Sequence, residues 1–436
     1  MSRDIKELST MLEKLDDQMS VCMHCGLCQA VCPVYGETLK EADVARGKII
    51  LLENLAQQMI KEPKKVKANL DKCLLCGSCE ANCPSGVKVM DIFINARAIL
   101  TRYQGLSKTK KAIFRGMLSR PKLFNRMLGM AALVQGVALK KESPVIGTTS
   151  CAMLRPMLGD RHFPSLAPKS LHKKIKSLDT PRGKSGLRVA FYPGCMIDLV
   201  YPHIAEACFK VLKHHGVGVF MPEGQACCGI PALASGDTQT HASLTRINLK
   251  AFAKNDFDYL VTACATCTST IKEIWPMMDQ EFTDQEKEQI RTISAKTMDI
   301  SAFLVDVLGV KPPELPNHGG EMVTYHDPCH LKNSMGVSSQ PRDLIRSNSH
   351  YELVEMKDAG RCCGCGGSFN LQHYELSQHI GQQKRDNIVN SNAQVVATGC
   401  PACMLQIQDT LSRNHDPIKV KHTIELYAEM LDRHQP

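Results

Sequence analysis

Hydrophobic residues follow two different periods in two parts of the chain. Between residues 41 and 62, in "EADVARGKIILLENLAQQMIKE", apolar residues recur mostly at the spacing of an α-helix. After residue 186, short apolar runs predict strands; they are "LRVAFYPG" (187–194), "DYLVTA" (258–263), "EMVTYHDP" (321–328) and "AQVVATG" (393–399). Segments such as "PHIAEACFKVLKHHG" and "YELSQHIGQQKRDNIVN" predict helices with one apolar face. The pattern therefore predicts a helical first part, followed by strand–loop–helix units typical of a parallel sheet.

Two blocks of cysteines lie in the helical first part, and both have the spacing C-x-x-C-x-x-C-x-x-x-C-P. The blocks are Cys22, Cys25, Cys28 and Cys32, and then Cys73, Cys76, Cys79 and Cys83. In bacterial ferredoxins with this spacing, the fourth cysteine of each block ligates the other cluster. We therefore expect two [4Fe–4S] clusters in this part of the chain. The first cluster is assigned to Cys22, Cys25, Cys28 and Cys83, and the second to Cys73, Cys76, Cys79 and Cys32.

Disulfides and zinc are the competing explanations for these cysteines. The N-terminus, "MSRDIKELSTML", lacks the apolar core and cleavage site of a secretion signal, and no stretch reaches the ~18 apolar residues of a membrane-spanning helix. We therefore expect a cytoplasmic protein with reduced thiols, and the odd total of 21 cysteines also disfavours complete pairing. Zinc usually binds two separated C-x-x-C pairs, so it is the less favoured metal.

Ten further cysteines form an internal repeat in the α/β part. Each copy reads C-x(about 31)-CCG-x(about 35)-C-x-x-C. The first copy holds Cys195, Cys227, Cys228, Cys264 and Cys267, and the second holds Cys329, Cys362, Cys363, Cys400 and Cys403. Every predicted strand ends just before one of these cysteines, and parallel sheets bind ligands at the carboxyl ends of their strands. Each copy is therefore expected to gather five thiolates, a set that suits an iron–sulfur cluster.

Five residues near these motifs have more than one interpretation. Cys365, the third thiol of "RCCGCGG", is either an alternative ligand or a small residue in a tight loop, and the latter is favoured. Cys151 and Cys208 stand outside the repeats and are expected to be structural. His326 and His330 flank Cys329, where a histidine could pass a proton; a hydrogen bond to a nearby backbone group is the favoured interpretation.

Two ferredoxin blocks followed by two CCG repeats resemble a known family. The stretches "CLLCGSCEANCPSGV", "YPGCMIDLVYP" and "GQACCGIPALASGD" are similar to the iron–sulfur subunits of glycolate oxidase and related D-lactate dehydrogenases. The CCG repeat also resembles the B subunit of heterodisulfide reductase, in which each motif holds a non-cubane [4Fe–4S] cluster. The resemblance implies up to two further clusters on the CCG cysteines. The C subunit of anaerobic glycerol-3-phosphate dehydrogenase has the same plan and remains an alternative.

The predicted fold class is an α+β multidomain protein. We expect a helical ferredoxin-like domain with two clusters over residues 1–100 and a basic helical segment with a linker over 101–186. Two tandem α/β CCG domains are expected over 187–312 and 313–436.

The implied function is electron transfer within a larger oxidoreductase. The glycine-rich "GCGGSF" (364–369) lacks the G-x-G-x-x-G spacing, and we find no other flavin or nicotinamide fingerprint. Clusters pass single electrons, whereas oxidation of a 2-hydroxy acid removes a hydride. We therefore assign no catalytic residue to this chain. It is expected to relay electrons from an FAD-containing D-lactate or glycolate dehydrogenase subunit to a quinone or another acceptor. A catalytic CCG subunit of the heterodisulfide reductase type is the alternative, and nucleic-acid binding is not expected.

A concentrated positive charge lies between Ile92 and Lys141. This segment contains no Asp or Glu and carries a charge of +11, whereas the rest of the chain sums to −2. It also contains apolar groups such as "MLGMAALVQGVAL". A basic amphipathic stretch predicts peripheral contact with the inner face of the cytoplasmic membrane, or docking to a partner. A solvated linker, or helices packed on the first domain, is the alternative.

Overall fold

A bundle of short helices forms the N-terminal part of the molecule. The computed structural model describes residues 5–154, 159–313 and 319–433. The first helices are Ile5–Glu13, Asp16–Met19, Cys28–Val31, Pro33–Thr38, Ala45–Ala56, Pro63–Asp71, Ser78–Ala81 and Val89–Gln104. The helix predicted between residues 41 and 62 is confirmed over Ala45–Ala56. Its apolar residues Ile49 and Leu52 pack in one core with Leu8, so the amphipathic N-terminus closes the bundle.

The segment after the bundle combines helices with a small antiparallel sheet. Its helices are Lys108–Lys111, the π-helical Ala112–Leu118, Pro121–Ala138 and Leu171–Lys174. Its sheet has the order β1 (Lys140–Ser143), β2 (Thr148–Ser150) and β3 (Phe163–Pro164). The sequence-based description as helix and linker misses this sheet, because strands of two to four residues are too short to show an alternating pattern.

The first CCG repeat folds around a five-stranded sheet. Its strands are β4 (Leu178–Asp179), β5 (Arg188–Phe191), β6 (Gly218–Met221), β7 (Tyr259–Thr262) and β8 (Thr297–Asp299). The order is β4-β6-β5-β7-β8, and only β4 is antiparallel to its neighbour. The α-helices are Gly194–Leu199, Pro202–His214, Ile230–Leu233, Thr238–Phe252, Ala265–Ser269, Trp275–Met277, Asp284–Lys296 and Ile300–Ala302.

The second repeat copies this plan with four parallel strands. They are β9 (Glu321–His326), β10 (Tyr351–Leu353), β11 (Val395–Thr398) and β12 (Lys419–His422), in the order β10-β9-β11-β12. The corresponding strands of the first repeat have the same order, so the cysteine repeat reflects a duplicated fold. The α-helices are Ser339–Arg346, Ser368–Gln372, Tyr374–Val389, Pro401–Arg413 and Thr423–Arg433. The four strands and two helices named from the sequence are confirmed, as β5, β7, β9, β11, Pro202–His214 and Tyr374–Val389.

Both repeats share one continuous hydrophobic core. It contains Phe191 and Trp275 of the first repeat together with Met404 and Ile407 of the second. The helix Pro202–His214 of the first repeat packs on Thr423–Arg433 of the second, and Lys210 Nζ donates to the Ala428 carbonyl at 2.8 Å across this contact. The two CCG sites are therefore joined by one closely packed core.

The helical bundle packs against both repeats. Leu233 and Ala234 of the first repeat join the core of the bundle, while Leu74 lies in a small cluster with Phe369 of the second repeat. Among the described helices, none combines the length and the hydropathy that crossing a bilayer requires.

Candidate iron–sulfur sites

The first four-thiol group lines a cavity at the outer end of the bundle. Cys22, Cys25 and Cys28 approach it from one loop, and Cys83 reaches it from the second block. Cys79 also touches this cavity. Cys25 is exposed, so this site lies nearest to solvent. The loop that bears Cys83 therefore meets the first block, as the crossed assignment requires.

The second four-thiol group lines a deeper cavity. Cys73, Cys76 and Cys79 approach it from the second block, and Cys32 comes from the first. Burial raises the pKa of the Cys32 thiol to about 12, so a free thiol here stays protonated near neutral pH. Metal binding would have to displace that proton, because thiolate is the ligand form.

The two loops have the same backbone shape because they share the same unusual dihedral angles. His24 and Leu75, each just before the second cysteine of its block, have φ values of 53°. Gly26 and Gly77, just after that cysteine, have φ values of 89° and 70°. The turn brings the Leu75 N–H to 3.4 Å from Cys73 Sγ. N–H groups directed at cysteine sulfur stabilise negative charge there and tune the reduction potential.

Two buried cations lie beside the second cavity, and sequence reasoning did not identify either as part of a site. The Lys48 ammonium is buried next to the Asp43 carbonyl; burial lowers its pKa, and the nearby Cys73 and Cys32 thiols partly oppose this shift. The Arg97 guanidinium donates to the carbonyls of Leu70 and Cys73, both at 2.7 Å, and to Ala234 O at 2.9 Å. These cations offset negative charge at the thiols.

Not every residue of the basic segment faces solvent. Arg97 is one of the eleven basic residues between 92 and 141, yet it is only 3 % exposed. Arg115 pairs with the buried carboxylate of Asp237 at 3.1 Å. Arg97 therefore serves packing between domains, since a buried cation is satisfied by protein partners, whereas Arg115 stays exposed while it pairs with a buried carboxylate.

The CCG cysteines follow the carboxyl ends of the central strands, as predicted. Cys195 follows β5 and Cys264 follows β7, while Cys329 and Cys400 occupy the equivalent places after β9 and β11. The paired cysteines come from the loops after β6 and β10. All ten thiols are buried or half-buried. The fold therefore assembles five thiols at one edge of each sheet.

The thiols of both repeats form one continuous chain of side-chain interactions. In the first repeat the chain runs through Cys195, Cys227, Cys228, Cys267 and Cys264, with 3.9 Å between the sulfurs of Cys195 and Cys227. Cys264 interacts with Cys400 of the second repeat. From there the chain continues through Cys403, Cys363, Cys362 and Cys329. Cys362 also interacts with Cys76 of the ferredoxin part. Three of the four thiol groups thus lie next to one another.

The glycine of each CCG triplet has a backbone that only glycine adopts readily. Gly229 has a φ of 94°, and a Cβ there would lie 2.8 Å from His241 Cδ2. Gly364 has a φ of 91°, and a Cβ there would lie 2.7 Å from the Ser377 carbonyl oxygen. Both glycines therefore let the chain turn sharply behind the paired cysteines.

The remaining candidates divide into those that touch the sites and those that do not. Cys208 is fully buried in Pro202–His214, as expected for a structural cysteine, whereas Cys151 is half-buried and lines a surface cleft. Cys365 is buried and lines the same cavity as the second CCG set. His330 Nε2 bonds the Leu75 carbonyl at 2.9 Å, as its favoured interpretation required.

His326 behaves differently from His330. It is fully buried, and burial lowers its pKa to about 3. A ring nitrogen of His326 and the sulfurs of Cys363 and Cys403 lie within 4.8 Å of one another. Within the described residues, neither ring nitrogen makes a hydrogen bond of regular geometry, and the backbone carbonyl of Ala359 lies near the ring.

The donor chemistry fits iron–sulfur clusters. Soft thiolate sulfur is the preferred ligand of such clusters. Both ferredoxin groups and the second CCG set line cavities, and thiols of the first CCG set lie close to one another. Buried cations and N–H donors accompany them. The residues present can therefore hold clusters.

Comparison with protein families agrees with this fold. Residues 18–87 match the model of a 4Fe-4S dicluster domain, and residues 189–272 and 323–408 each match the model of a cysteine-rich CCG domain. The matches confirm the predicted α+β architecture, with one ferredoxin-type module followed by two CCG modules. The protein is an iron–sulfur protein.

Comparison with curated proteins extends the match to nearly the whole chain. A Bacillus subtilis (strain 168) protein named "Probable glycolate oxidase iron-sulfur subunit" is 30% identical over 96% of this chain and 95% of its own length. "Lactate utilization protein A" of Geobacillus kaustophilus is 33% identical over 55% of this chain and 98% of its own length. The B subunit of the fumarate reductase (CoM/CoB) of Methanothermobacter marburgensis is 33% identical over 59% of this chain and 53% of its own length. The chain belongs to the family of glycolate oxidase iron–sulfur subunits.

Proposed function

We propose that this chain is the electron-transfer subunit of a flavin-dependent 2-hydroxy-acid dehydrogenase. Its relatives are named as a subunit of a glycolate oxidase and as a lactate utilization protein, which supports D-lactate or glycolate as the substrate of the complex. The single observation that carries the proposal is the unbroken chain of thiols from Cys76 through both CCG repeats. Iron–sulfur clusters bound there supply one-electron transfer.

The ligand groups proposed are those expected from the sequence. Cys22, Cys25, Cys28 and Cys83 form the first group, and Cys73, Cys76, Cys79 and Cys32 form the second. The two CCG sets form the third and fourth groups, so the chain would bind four clusters. Cavities that bring together each ferredoxin group support this assignment.

A partner subunit that contains FAD is part of the proposal. Removing a hydride from a hydroxy acid is flavin or nicotinamide chemistry, whereas thiol-bound clusters exchange one electron at a time. The exposed Cys25 supports entry of electrons at the first group, because that group lies nearest to solvent. From there, the second group and then the CCG sets follow in space.

The acceptor is proposed to be a quinone reached at the membrane surface. Helix Pro121–Ala138 carries four exposed apolar residues along one side, which are Leu123, Met127, Met130 and Leu133. Lys122 and Arg126 are exposed beside them. Pro121 and Phe124 of the same helix line a cavity with Cys195 and Cys227. An apolar, basic helix next to the last thiols supports peripheral binding to the inner face of the cytoplasmic membrane.

A catalytic CCG subunit is the second candidate function. The second set of CCG cysteines lines a cavity together with Ile230 and Ala265 of the first repeat. A substrate there would contact the second set of thiols on one side and the first repeat on the other. The relative named as a fumarate reductase subunit supports this alternative over part of the chain.

Reconstitution with the flavoprotein partner separates these functions. The isolated chain should not oxidise lactate or glycolate, and acceptor reduction should appear when the partner is added. The Cys25→Ser variant should lower the rate of acceptor reduction at least tenfold, because the first cluster of the relay would be lost. Substrate should still reduce the flavin of the partner. Cys151→Ser, a cysteine outside all four groups, serves as the matched control and should behave as the wild type. Unchanged acceptor reduction in Cys25→Ser would refute the relay.

A further inference from the structure

His326 is the last residue of β9 and points to the second CCG set. Its side chain is 0 % exposed, and a ring nitrogen lies within 4.8 Å of the sulfurs of Cys363 and Cys403. Neither of its ring nitrogens makes a hydrogen bond of regular geometry among the described residues, and the Ala359 carbonyl is the backbone group near the ring. A buried polar group left without a partner destabilises the folded protein, so a natural protein rarely retains one without a use.

The surroundings of the ring suit a metal ligand. A neutral imidazole has one N–H donor and one bare nitrogen acceptor. The carbonyl of Ala359, which accepts from the Asp327 N–H and from Lys384 Nζ, both at 3.1 Å, also lies near the ring and is the backbone acceptor available to the ring N–H. Metal-binding histidines almost always donate their other N–H to a carbonyl, a carboxylate or water. The bare nitrogen is then left for a ligand on the side of the thiols.

The duplicated fold provides an internal comparison. Tyr192 stands three residues before Cys195, as His326 stands three residues before Cys329. The Tyr192 hydroxyl already donates to the Ala226 carbonyl at 2.6 Å. The first repeat thus satisfies the polar atom at this position with its own backbone, whereas the second repeat presents an unsatisfied nitrogen. The two CCG sites are therefore chemically different.

We propose that His326 is a nitrogen ligand of the iron–sulfur cluster bound by the second CCG set. The inference rests on the proposed function in so far as that function places a cluster on these cysteines. A neutral histidine brings less negative charge to the iron than a thiolate does, and histidine-ligated clusters have higher reduction potentials. The second CCG cluster is therefore expected to have the higher potential of the two.

Pulsed EPR on the reduced full-length chain tests the ligand directly. Protein grown with ¹⁵N-histidine should show a strongly coupled ¹⁵N nucleus in place of the ¹⁴N nucleus seen in unlabelled protein. His326→Gln should remove this coupling and lower one midpoint potential. His422→Gln is the matched control, because His422 is also fully buried near Cys400 and lies outside the group formed with Cys363 and Cys403.

Iron analysis on the same samples separates two kinds of failure. Iron in the second CCG site without a strongly coupled histidine nitrogen in the wild type would overturn the role of His326 and leave the relay intact. Absence of iron from that site, or zinc in its place, would overturn the proposed function itself. Loss of the cluster in His326→Gln does not obscure the result, since the isotope comparison uses the unmutated chain. A coupling that persists in His326→Gln would also refute the assignment.

Discussion

Gly229 follows the paired cysteines of the first repeat, and its backbone has a φ of 94°. The Gly229→Ala variant should lose iron from the first CCG site, because the new Cβ would lie 2.8 Å from His241 Cδ2. Gly224→Ala is a matched control in the same loop: its φ is 89°, but a Cβ there meets nothing within 4 Å. Both variants share a backbone cost of about 1–3 kcal/mol. Iron per chain and EPR should therefore differ between them, and equal iron contents would show that the contact with His241 does not shape the site.

At the scale of one element, the helix Pro121–Ala138 carries the prediction of membrane contact. Reversing Lys122 and Arg126 to Glu should weaken binding to vesicles of phosphatidylcholine and phosphatidylserine at least tenfold. Each basic residue near an anionic surface contributes about 1 kcal/mol, and the reversal also adds repulsion. Met130→Glu with Leu133→Glu should have a similar effect, since the two side chains are 56% and 82% exposed and free to enter the headgroup region. Vesicle co-sedimentation at low and high salt measures both effects.

The control for this helix uses exposed apolar residues elsewhere. Met59→Glu and Leu371→Glu add the same charge at side chains that are 72% and 64% exposed, on the helical bundle and the second repeat. These variants should bind vesicles as the wild type does. If all variants bind equally, the helix face does not contact lipid, and docking to the flavoprotein partner becomes the explanation for its exposed residues.

The elements also show which features the sequence could predict. β5, β7, β9 and β11 are central strands buried on both faces, so each appears as a continuous apolar run. β10 and β12 lie at the edges of their sheet and have half-exposed residues, so their pattern is weaker. The cysteine groups were evident because ligand spacing is local. Lys48, Arg97 and the unsatisfied nitrogens of His326 were not, because their roles depend on contacts between distant segments.

At the scale of the whole molecule, electron transfer depends on the contact between the helical bundle and the second repeat. His330 Nε2 bonds Leu75 O at 2.9 Å, and Asn333 Nδ2 donates to Cys76 O at 2.9 Å and to Ser78 Oγ at 3.2 Å. Both residues belong to the π-helical turn His330–Ser334, directly after Cys329. Hydrogen bonds from His330 and Asn333, which are not proposed cluster ligands, thus connect the loop of the second ferredoxin group to the second CCG set.

The Asn333→Ala variant should uncouple these two parts while leaving all proposed ligands in place. Loss of two hydrogen bonds, each worth about 0.5–1.5 kcal/mol, loosens the loop of Cys76. We expect unchanged iron content, normal reduction of the ferredoxin clusters by substrate and partner, and reduction of the CCG clusters that is at least several-fold slower in stopped-flow absorbance and freeze-quench EPR. Asn414→Ala, at the exposed end of Pro401–Arg413, should leave both rates unchanged. If the CCG clusters of Asn333→Ala are reduced as fast as those of the wild type, electrons do not cross at Cys76 and Cys362, and the order of the relay must be redrawn.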